Sequence, residues 1–142
     1  MSTLVIVVLA LSRSLLGAPA DHAPSEILGL WRGTSVCTDR VAAPACNDEV
    51  IVYEFKAGPK PGTVRWQADK VVDGRRESMG DALDMAYDPG DACWRTEFRS
   101  PRVHVVWCLT VTGDDLMGSA WLLPGKATVR KVEAHRERGP SS

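Results

Sequence analysis

The stretch that decides the fold is CWRTEFRSPRVHVVWC, residues 93–108. It holds two alternating segments on either side of a four-residue loop. If Phe98 lies opposite Val103, then Cys93 falls opposite Cys108, and such opposed Cα atoms are close enough for a disulfide. This register also places both tryptophans of the stretch on an apolar face and its charged side chains on the other. One apolar and one polar face is typical of an antiparallel sheet.

A second hairpin is predicted around Asp73-Gly74, a dipeptide that favours a two-residue turn between antiparallel strands. This turn sets Lys70 opposite Glu77, which makes an opposite-charge pair across the two strands. Carried further along the hairpin, the same register places Val64 opposite Leu83. Turn chemistry and side-chain pairing therefore agree on the same local structure.

From residue 21 onward the rest of the chain repeats this pattern of short alternating segments between turn residues, without a helix-length segment of 3.6 periodicity. The predicted strands are Leu30–Cys37, Glu49–Lys56, Thr63–Val72, Arg75–Asp84, Cys93–Phe98, Val103–Val111, Leu116–Leu123 and Lys126–Ala134. Because the links are short, sequence neighbours are expected to be neighbours in the sheet. We therefore predict one all-β domain over residues 21–134, an eight-stranded antiparallel up-and-down barrel, followed by a flexible tail over residues 135–142.

Four cysteines lie in this domain. They allow three connectivities, and their spacing favours two local disulfides, Cys37–Cys46 and Cys93–Cys108. In the chain-entropy model each would stabilise the domain by about 3 kcal/mol. No Cys-x-x-Cys or Cys/His spacing suits a metal, so we expect neither a metal site nor a cofactor.

Residues 1–20 carry a short apolar run, Leu4–Leu11, followed by Ala18-Pro19-Ala20, a small-residue pattern typical of signal-peptidase cleavage. The run is too short to span a bilayer. We interpret it as a removed signal peptide; the alternative is a buried N-terminal strand. Together with the cysteines, it predicts a secreted or periplasmic protein with no membrane span in its mature form.

The formal net charge is −1, and basic residues are scattered among acidic ones. A nucleic-acid partner is not expected, because such proteins usually carry a basic stripe. The partners that remain are a small apolar ligand and another protein.

The segment Gly29-Leu30-Trp31 at the start of the first strand, followed by an eight-strand meander, resembles the lipocalins and the wider calycin group. The resemblance covers residues 27–134 and implies that Trp31 closes the base of the barrel. It also implies an arginine packed over that ring, for which Arg130 is the first candidate and Arg136 the second. The lipocalin Thr-Asp-Tyr segment is missing, so the resemblance is one of architecture. Bacterial metalloprotease inhibitors share a similar first strand and remain an alternative.

Five tryptophans in a chain of this length suggest an aromatic interior. The predicted ligand-binding residues are Trp66, Trp94, Phe98, Val105 and Trp107. Large aromatic side chains would line a pocket for an apolar ligand, or they would simply fill the barrel as core.

No catalytic residues are predicted. Glu97 and His104 would resemble a general acid–base pair, but no nucleophile or phosphate-loop motif accompanies them. We interpret the pair as a surface ion pair. The sequence therefore predicts an exported, non-enzymatic binding protein that holds a small apolar ligand. The alternative is an inhibitor or interaction module that uses residues 21–28 or the Cys37–Cys46 loop against a partner enzyme.

Overall fold

The computed structural model describes residues 22–139, which form one 3₁₀ turn and nine strand segments. The predicted signal peptide lies outside the described residues. The turn is Pro24–Glu26, and the strands are β1 Gly29–Cys37, β2 Glu49–Ala57, β3 Thr63–Val72, β4 Arg75–Ser78, β5 Leu83–Asp88, β6 Cys93–Arg99, β7 His104–Thr112, β8 Asp115–Leu122 and β9 Thr128–Arg136. None of the helical structure within residues 22–139 has the length and apolar character needed to cross a membrane.

The strands close into a barrel. In the order β2-β1-β9-β8-β7-β6-β5-β3-β4, each strand pairs antiparallel with the next. A further pairing of β2 with β3 closes the sheet on itself. β4 and β5 pair with successive parts of β3 and together form one wall of the barrel. The predicted eight-stranded, antiparallel up-and-down barrel is confirmed.

Alternate residues of the strands face the interior, except in β4, whose four residues are all exposed, and the largest buried side chains fill one half of the barrel. Fully or almost fully buried there are Ile27, Trp31, Tyr53, Phe55, Met85, Trp94, Leu109 and Leu116. Burial of such large side chains stabilises a fold by several kcal/mol each. We call this half the closed half, and the half that holds the Cys37–Cys46 loop the open half.

The 3₁₀ turn closes the base of the barrel. Ile27 is 0% exposed, and its carbonyl accepts a hydrogen bond of 2.8 Å from Trp31 Nε1. The guanidinium carbon of Arg136 lies 4.2 Å from the centre of the Trp31 ring. The first-choice assignment of Arg130 to this role was wrong: Arg130 lies at the other end of β9, where it donates to Ser35 Oγ at 2.9 Å. Both arginines face the barrel interior, and they differ in their position along β9.

Both predicted disulfides are present. The predicted register between β6 and β7 was wrong by two residues, because Phe98 lies opposite Val105 and Arg99 still pairs with His104 before the loop begins. The Cys93–Cys108 bond therefore runs diagonally across the hairpin, with a Cα–Cα distance of 5.4 Å.

The hairpin at Asp73-Gly74 pairs Lys70 with Glu77 as predicted. Further along, Val64 lies opposite Met85 and not Leu83. Residues 79–82, between β4 and β5, interrupt the ladder, which resumes in β5 two residues out of the predicted register.

The last strand is longer than predicted. β9 continues to Arg136, and the Glu137 amide donates to the Leu30 carbonyl at 2.8 Å. The barrel therefore extends beyond residue 134, and the predicted tail begins too early; residues 140–142 lie outside the described part of the chain.

Candidate ligand-binding site

The interruption between β4 and β5 is held in place by hydrogen bonds. The Met79 amide donates to the Ala68 carbonyl at 2.9 Å. Gln67 Nε2 donates to Ser78 Oγ at 3.0 Å and to the Gly80 carbonyl at 3.2 Å. Gly80 has φ +128°, a conformation that glycine adopts at little cost. The interruption, residues 79–82, is therefore a defined structure and not a frayed strand end, and we call it the bulge.

The bulge leaves a gap in the barrel wall. β5 pairs with β6 only through residues 93–95, in the closed half. The ladder partners of residues 96–99 of β6 lie in β7 alone among the described strands. β4 pairs with β3, so it does not close the gap. The open half of the barrel is consequently accessible from the side between β4 and β6.

An apolar cavity of about 510 Å³ occupies this gap. Its wall is formed by residues of β3, the bulge, β5, β6 and β7: Trp66, Ala68, Met79, Gly80, Asp81, Leu83, Phe98, Val105 and Trp107. Phe98 and Met79 are 43% and 37% exposed, so they form its rim. Two tryptophans, a phenylalanine and a methionine give this cavity the character of a small-molecule site.

Trp66 forms the floor of the cavity and is itself held by other rings. Its ring centre lies 5.3 Å from that of Trp107 and 4.9 Å from that of Tyr53, both edge to face. Phe55 stacks nearly parallel to it at 6.3 Å. The buried Trp66 Nε1 has no hydrogen-bond partner among the described residues. The edge-to-face contacts hold the Trp66 ring in this orientation without a ligand.

Four of the five predicted ligand-binding residues therefore meet in one place: Trp66, Phe98, Val105 and Trp107. The fifth, Trp94, does not join them. It is 0% exposed in the closed half, and its Nε1 donates to Glu26 Oε1 at 2.8 Å. The predicted face of Trp94 was right, but its position along β6 places it against the base of the barrel.

A second cavity, of about 410 Å³, adjoins the first and shares Val105 and Trp107 with it. Residues 42–46 of the stapled loop form one side, and Arg130 lies in its wall. Thr38 ties this loop to β9, because its hydroxyl donates to the Thr128 carbonyl at 2.8 Å. The Cys37–Cys46 loop thus covers part of the open half.

A polar cluster supports the open half from within. Arg130 Nη2 donates to the Asn47 carbonyl at 3.0 Å, and Nη1 lies 3.7 Å from Glu49 Oε2. That carboxylate oxygen has no hydrogen-bond partner within the described chain. Burial raises the pKa of Tyr53 well above its ordinary value, an effect that the Ser35 hydroxyl and Arg130 partly oppose. Tyr53 therefore stays neutral at the bottom of this cluster.

Glu97 and His104 lie on the outer surface of the barrel. His104 Nε2 and Glu97 Oε2 are 2.8 Å apart, and this hydrogen bond is the main reason that the pKa of Glu97 is lowered, with Arg95 adding to the effect. Because side chains alternate along a strand, Glu97 points away from the cavity that its neighbour Phe98 lines. The interpretation as a surface ion pair agrees with this placement.

The sequence reasoning missed the part of the site that the bulge supplies, namely Met79, Gly80 and Asp81. A usable signal was present, because Gly80 interrupts the predicted strand Arg75–Asp84 and an internal glycine often marks a bulge. Within residues 22–139, no group of three His, Cys, Asp or Glu side chains is arranged to hold a metal ion.

No protein-family model matches this chain, and no curated protein or solved structure matches it. What the structure shares with the calycins is the closed, eight-stranded antiparallel barrel.

Proposed function

We propose that this chain is a non-enzymatic binding protein that holds a small apolar ligand in the open half of its barrel. The observation that carries the proposal is the cavity of about 510 Å³ floored by Trp66. Ligand pockets usually measure about 300–1,000 Å³ and are lined mainly by apolar and aromatic side chains.

The contrast between the two halves of the barrel supports this function. The closed half is filled by side chains such as Trp31 and Trp94, each 0% exposed. In the open half, aromatic side chains line a space that they do not fill. An unfilled apolar space forfeits packing contacts, so a ligand that restores them would bind favourably.

A titration with a neutral apolar probe, N-phenyl-1-naphthylamine, tests the proposal. We expect saturable binding to one site, with enhanced probe fluorescence. Ala68→Phe should weaken binding at least about tenfold, because the new ring occupies the cavity. The matched control is Ala86→Phe, since Ala86 is an exposed residue of β5 that faces outward.

Equal binding by the wild type and the Ala68→Phe variant would show that the probe binds elsewhere. No binding by the correctly folded wild type would reject the proposal for this class of ligand.

We propose further that the protein is exported. The two disulfides are typical of an oxidising compartment, and the apolar N-terminal run with its small-residue site supplies a signal. The intact mass of the protein recovered from the medium or the periplasm checks this: it should correspond to a chain that starts near residue 21. A chain recovered with residues 1–20 attached would contradict it.

The exposure of Val41 favours a second candidate function, binding to another protein through the Cys37–Cys46 loop. Val41 is 94% exposed, and Asp39 Oδ1 fixes its backbone by accepting from the Val41 and Ala42 amides at 3.0 and 2.9 Å. An exposed apolar tip on a held loop suits contact with a partner enzyme. The other predicted contact, residues 21–28, stays a prediction, and within it Ile27 is buried in the barrel base.

Inhibition assays against secreted proteases and lysozymes test this second candidate. If the loop is the contact, Val41→Asp should abolish inhibition, whereas Val50→Asp should not, because Val50 is an exposed residue on β2. Inhibition that survives Val41→Asp would exclude the tip of the loop.

A further inference from the structure

Asp81 is distinctive among the residues of the candidate site. Among the described residues that line the cavity of about 510 Å³, it alone carries a charge. Gly80 and the hydrogen bond from Gln67 to its carbonyl hold the neighbouring backbone, and Asp81 is an exposed residue at the rim of the cavity.

Three charged groups of β3 and β5, the strands that flank the bulge, are paired with opposite charges. Asp84 pairs with Arg65 at 3.2 Å, and Asp69 pairs with Arg76 at 2.8 Å. Lys70 lies 4.0 Å from Glu77. Within residues 22–139, Asp81 forms no ion pair, so its negative charge acts on whatever enters the cavity.

The aromatic rings that line the cavity favour a cationic ligand, as the Asp81 carboxylate does. The faces of tryptophan and phenylalanine attract cations within about 6 Å of the ring centre, and more strongly where water is partly excluded. Trp66, Trp107 and Phe98 all line the cavity. An anionic group would meet both the carboxylate and the negative ring faces, and is therefore disfavoured.

The charged side chains that line the adjoining cavity are cationic, and one of them, Arg130, lies 3.7 Å from Glu49 Oε2. The lining of this cavity includes Arg102 and Arg130, and it meets the first cavity at Val105 and Trp107. The cationic end of a ligand would be repelled from that side and attracted to the Asp81 side. The ligand would therefore bind with its cationic end toward Asp81.

We propose that the Trp66–Trp107 cavity selects ligands in which an apolar body carries one positive charge, such as a quaternary ammonium compound. The charged group lies near Asp81, and the apolar body lies against Val105 and Trp107. This assignment of the ligand class rests on the proposed function, because it uses the same cavity.

The test uses three ligands in displacement of N-phenyl-1-naphthylamine. Phenyltrimethylammonium and tert-butylbenzene have nearly the same shape and differ in charge, and benzenesulfonate supplies the anion. We expect phenyltrimethylammonium to bind at least about tenfold more tightly than benzenesulfonate. Asp81→Asn should weaken phenyltrimethylammonium about threefold and leave tert-butylbenzene unchanged.

The control variant is Asp73→Asn. It removes the same charge at the tip of the β3–β4 turn, where Asn also tolerates the observed φ of 51°. It should change neither affinity.

The outcomes separate the two proposals. If tert-butylbenzene displaces the probe but phenyltrimethylammonium does not, or if Asp81→Asn changes neither affinity, the charge selection is refuted and the apolar site stands. If the folded wild type binds neither the probe nor any of the three ligands, both proposals fail.

Discussion

Arg136 shows how much of the closed half depends on single side chains. Its guanidinium lies over Trp31 at 4.2 Å, and its Nη atoms donate to the carbonyls of Leu28 and Glu26 at 2.5 and 2.6 Å. These two carbonyls belong to the segment that plugs the base. The Arg136 guanidinium therefore holds together the last strand, the first strand and residues 24–28, which close the base.

Replacement of Arg136 by Gln is expected to lower the free energy of unfolding by about 3 kcal/mol, because charge-assisted hydrogen bonds to partly buried carbonyls are lost. Chemical denaturation measures this change. Arg32→Gln is the control: Arg32 is exposed and pairs with Glu137 only at 3.6 Å, so it should cost less than about 1 kcal/mol. Equal effects of the two variants would contradict the role given to Arg136.

The pKa of Glu97 is a second test at the scale of one residue. NMR titration should give a pKa below the ordinary glutamate value of about 4.3. His104→Ala should raise it towards that value, since the hydrogen bond from His104 is the largest cause of the shift. His135→Ala, which alters an exposed histidine paired with Asp115, should leave it unchanged.

The pH dependence follows from the direction of this shift. A carboxyl group whose pKa is lowered by folding stabilises the fold above its unfolded pKa, and this contribution is lost as the pH falls through the folded value. If the Glu97 pKa is the same with and without His104, the hydrogen bond between them does not persist in solution.

At the scale of the strands, the β1–β9 seam closes the barrel and depends on close backbone approach. A Cβ on Gly33 would lie against the Glu133 carbonyl oxygen and 2.5 Å from Ala134 Cα. Both neighbours are backbone atoms of β9, which cannot move without disturbing the ladder. A glycine at this point in β1 is therefore required by packing.

Gly33→Ala is expected to destabilise the protein by about 1–3 kcal/mol, as overpacking does. Gly125→Ala is the matched control, because no atom lies within 4 Å of the added Cβ. It should change the free energy of unfolding by less than about 1 kcal/mol. Thermal or urea denaturation compares the two, and a neutral Gly33→Ala would mean that the seam is looser than the structure shows.

The sequence predicted the strands well and their registers less well, and a single physical reason explains both results. Alternation has a period of two, so a slip of two residues keeps every side chain on its face. The β6–β7 register and the β3–β5 register both differ from prediction by such a slip. The faces of Trp94 and Trp107 were therefore predictable from the pattern.

The height of a residue in the barrel was not predictable in this way. Alternation says which residues face inward, but not which end of the barrel they reach. For this reason Trp94 was grouped with the ligand-binding residues although it packs against the base, and Arg130 was assigned to the base although it lies at the other end of β9. Asp81 was missed because its place at the cavity depends on the bulge, which local pairing rules do not position.

At the scale of the whole molecule, the barrel has two halves with different packing. The closed half is plugged by residues 24–28 and filled by Trp31, Trp94 and their neighbours. The open half keeps an aromatic-lined cavity beside a bulge that Gln67 holds in place. A fold that is well packed in one half and leaves apolar space unfilled in the other fits the binding function proposed above.

The five tryptophans allow this division to be tested in one measurement, the indole N–H resonances of the protein during a titration with N-phenyl-1-naphthylamine. The resonances of Trp66 and Trp107 should shift and saturate together. Those of Trp31 and Trp94, which are hydrogen-bonded within the closed half, should stay in place, as should that of Trp121 on the outer face. Movement of Trp31 and Trp94 without Trp66 and Trp107, or no movement of any indole resonance at saturation, would contradict a ligand site in the open half.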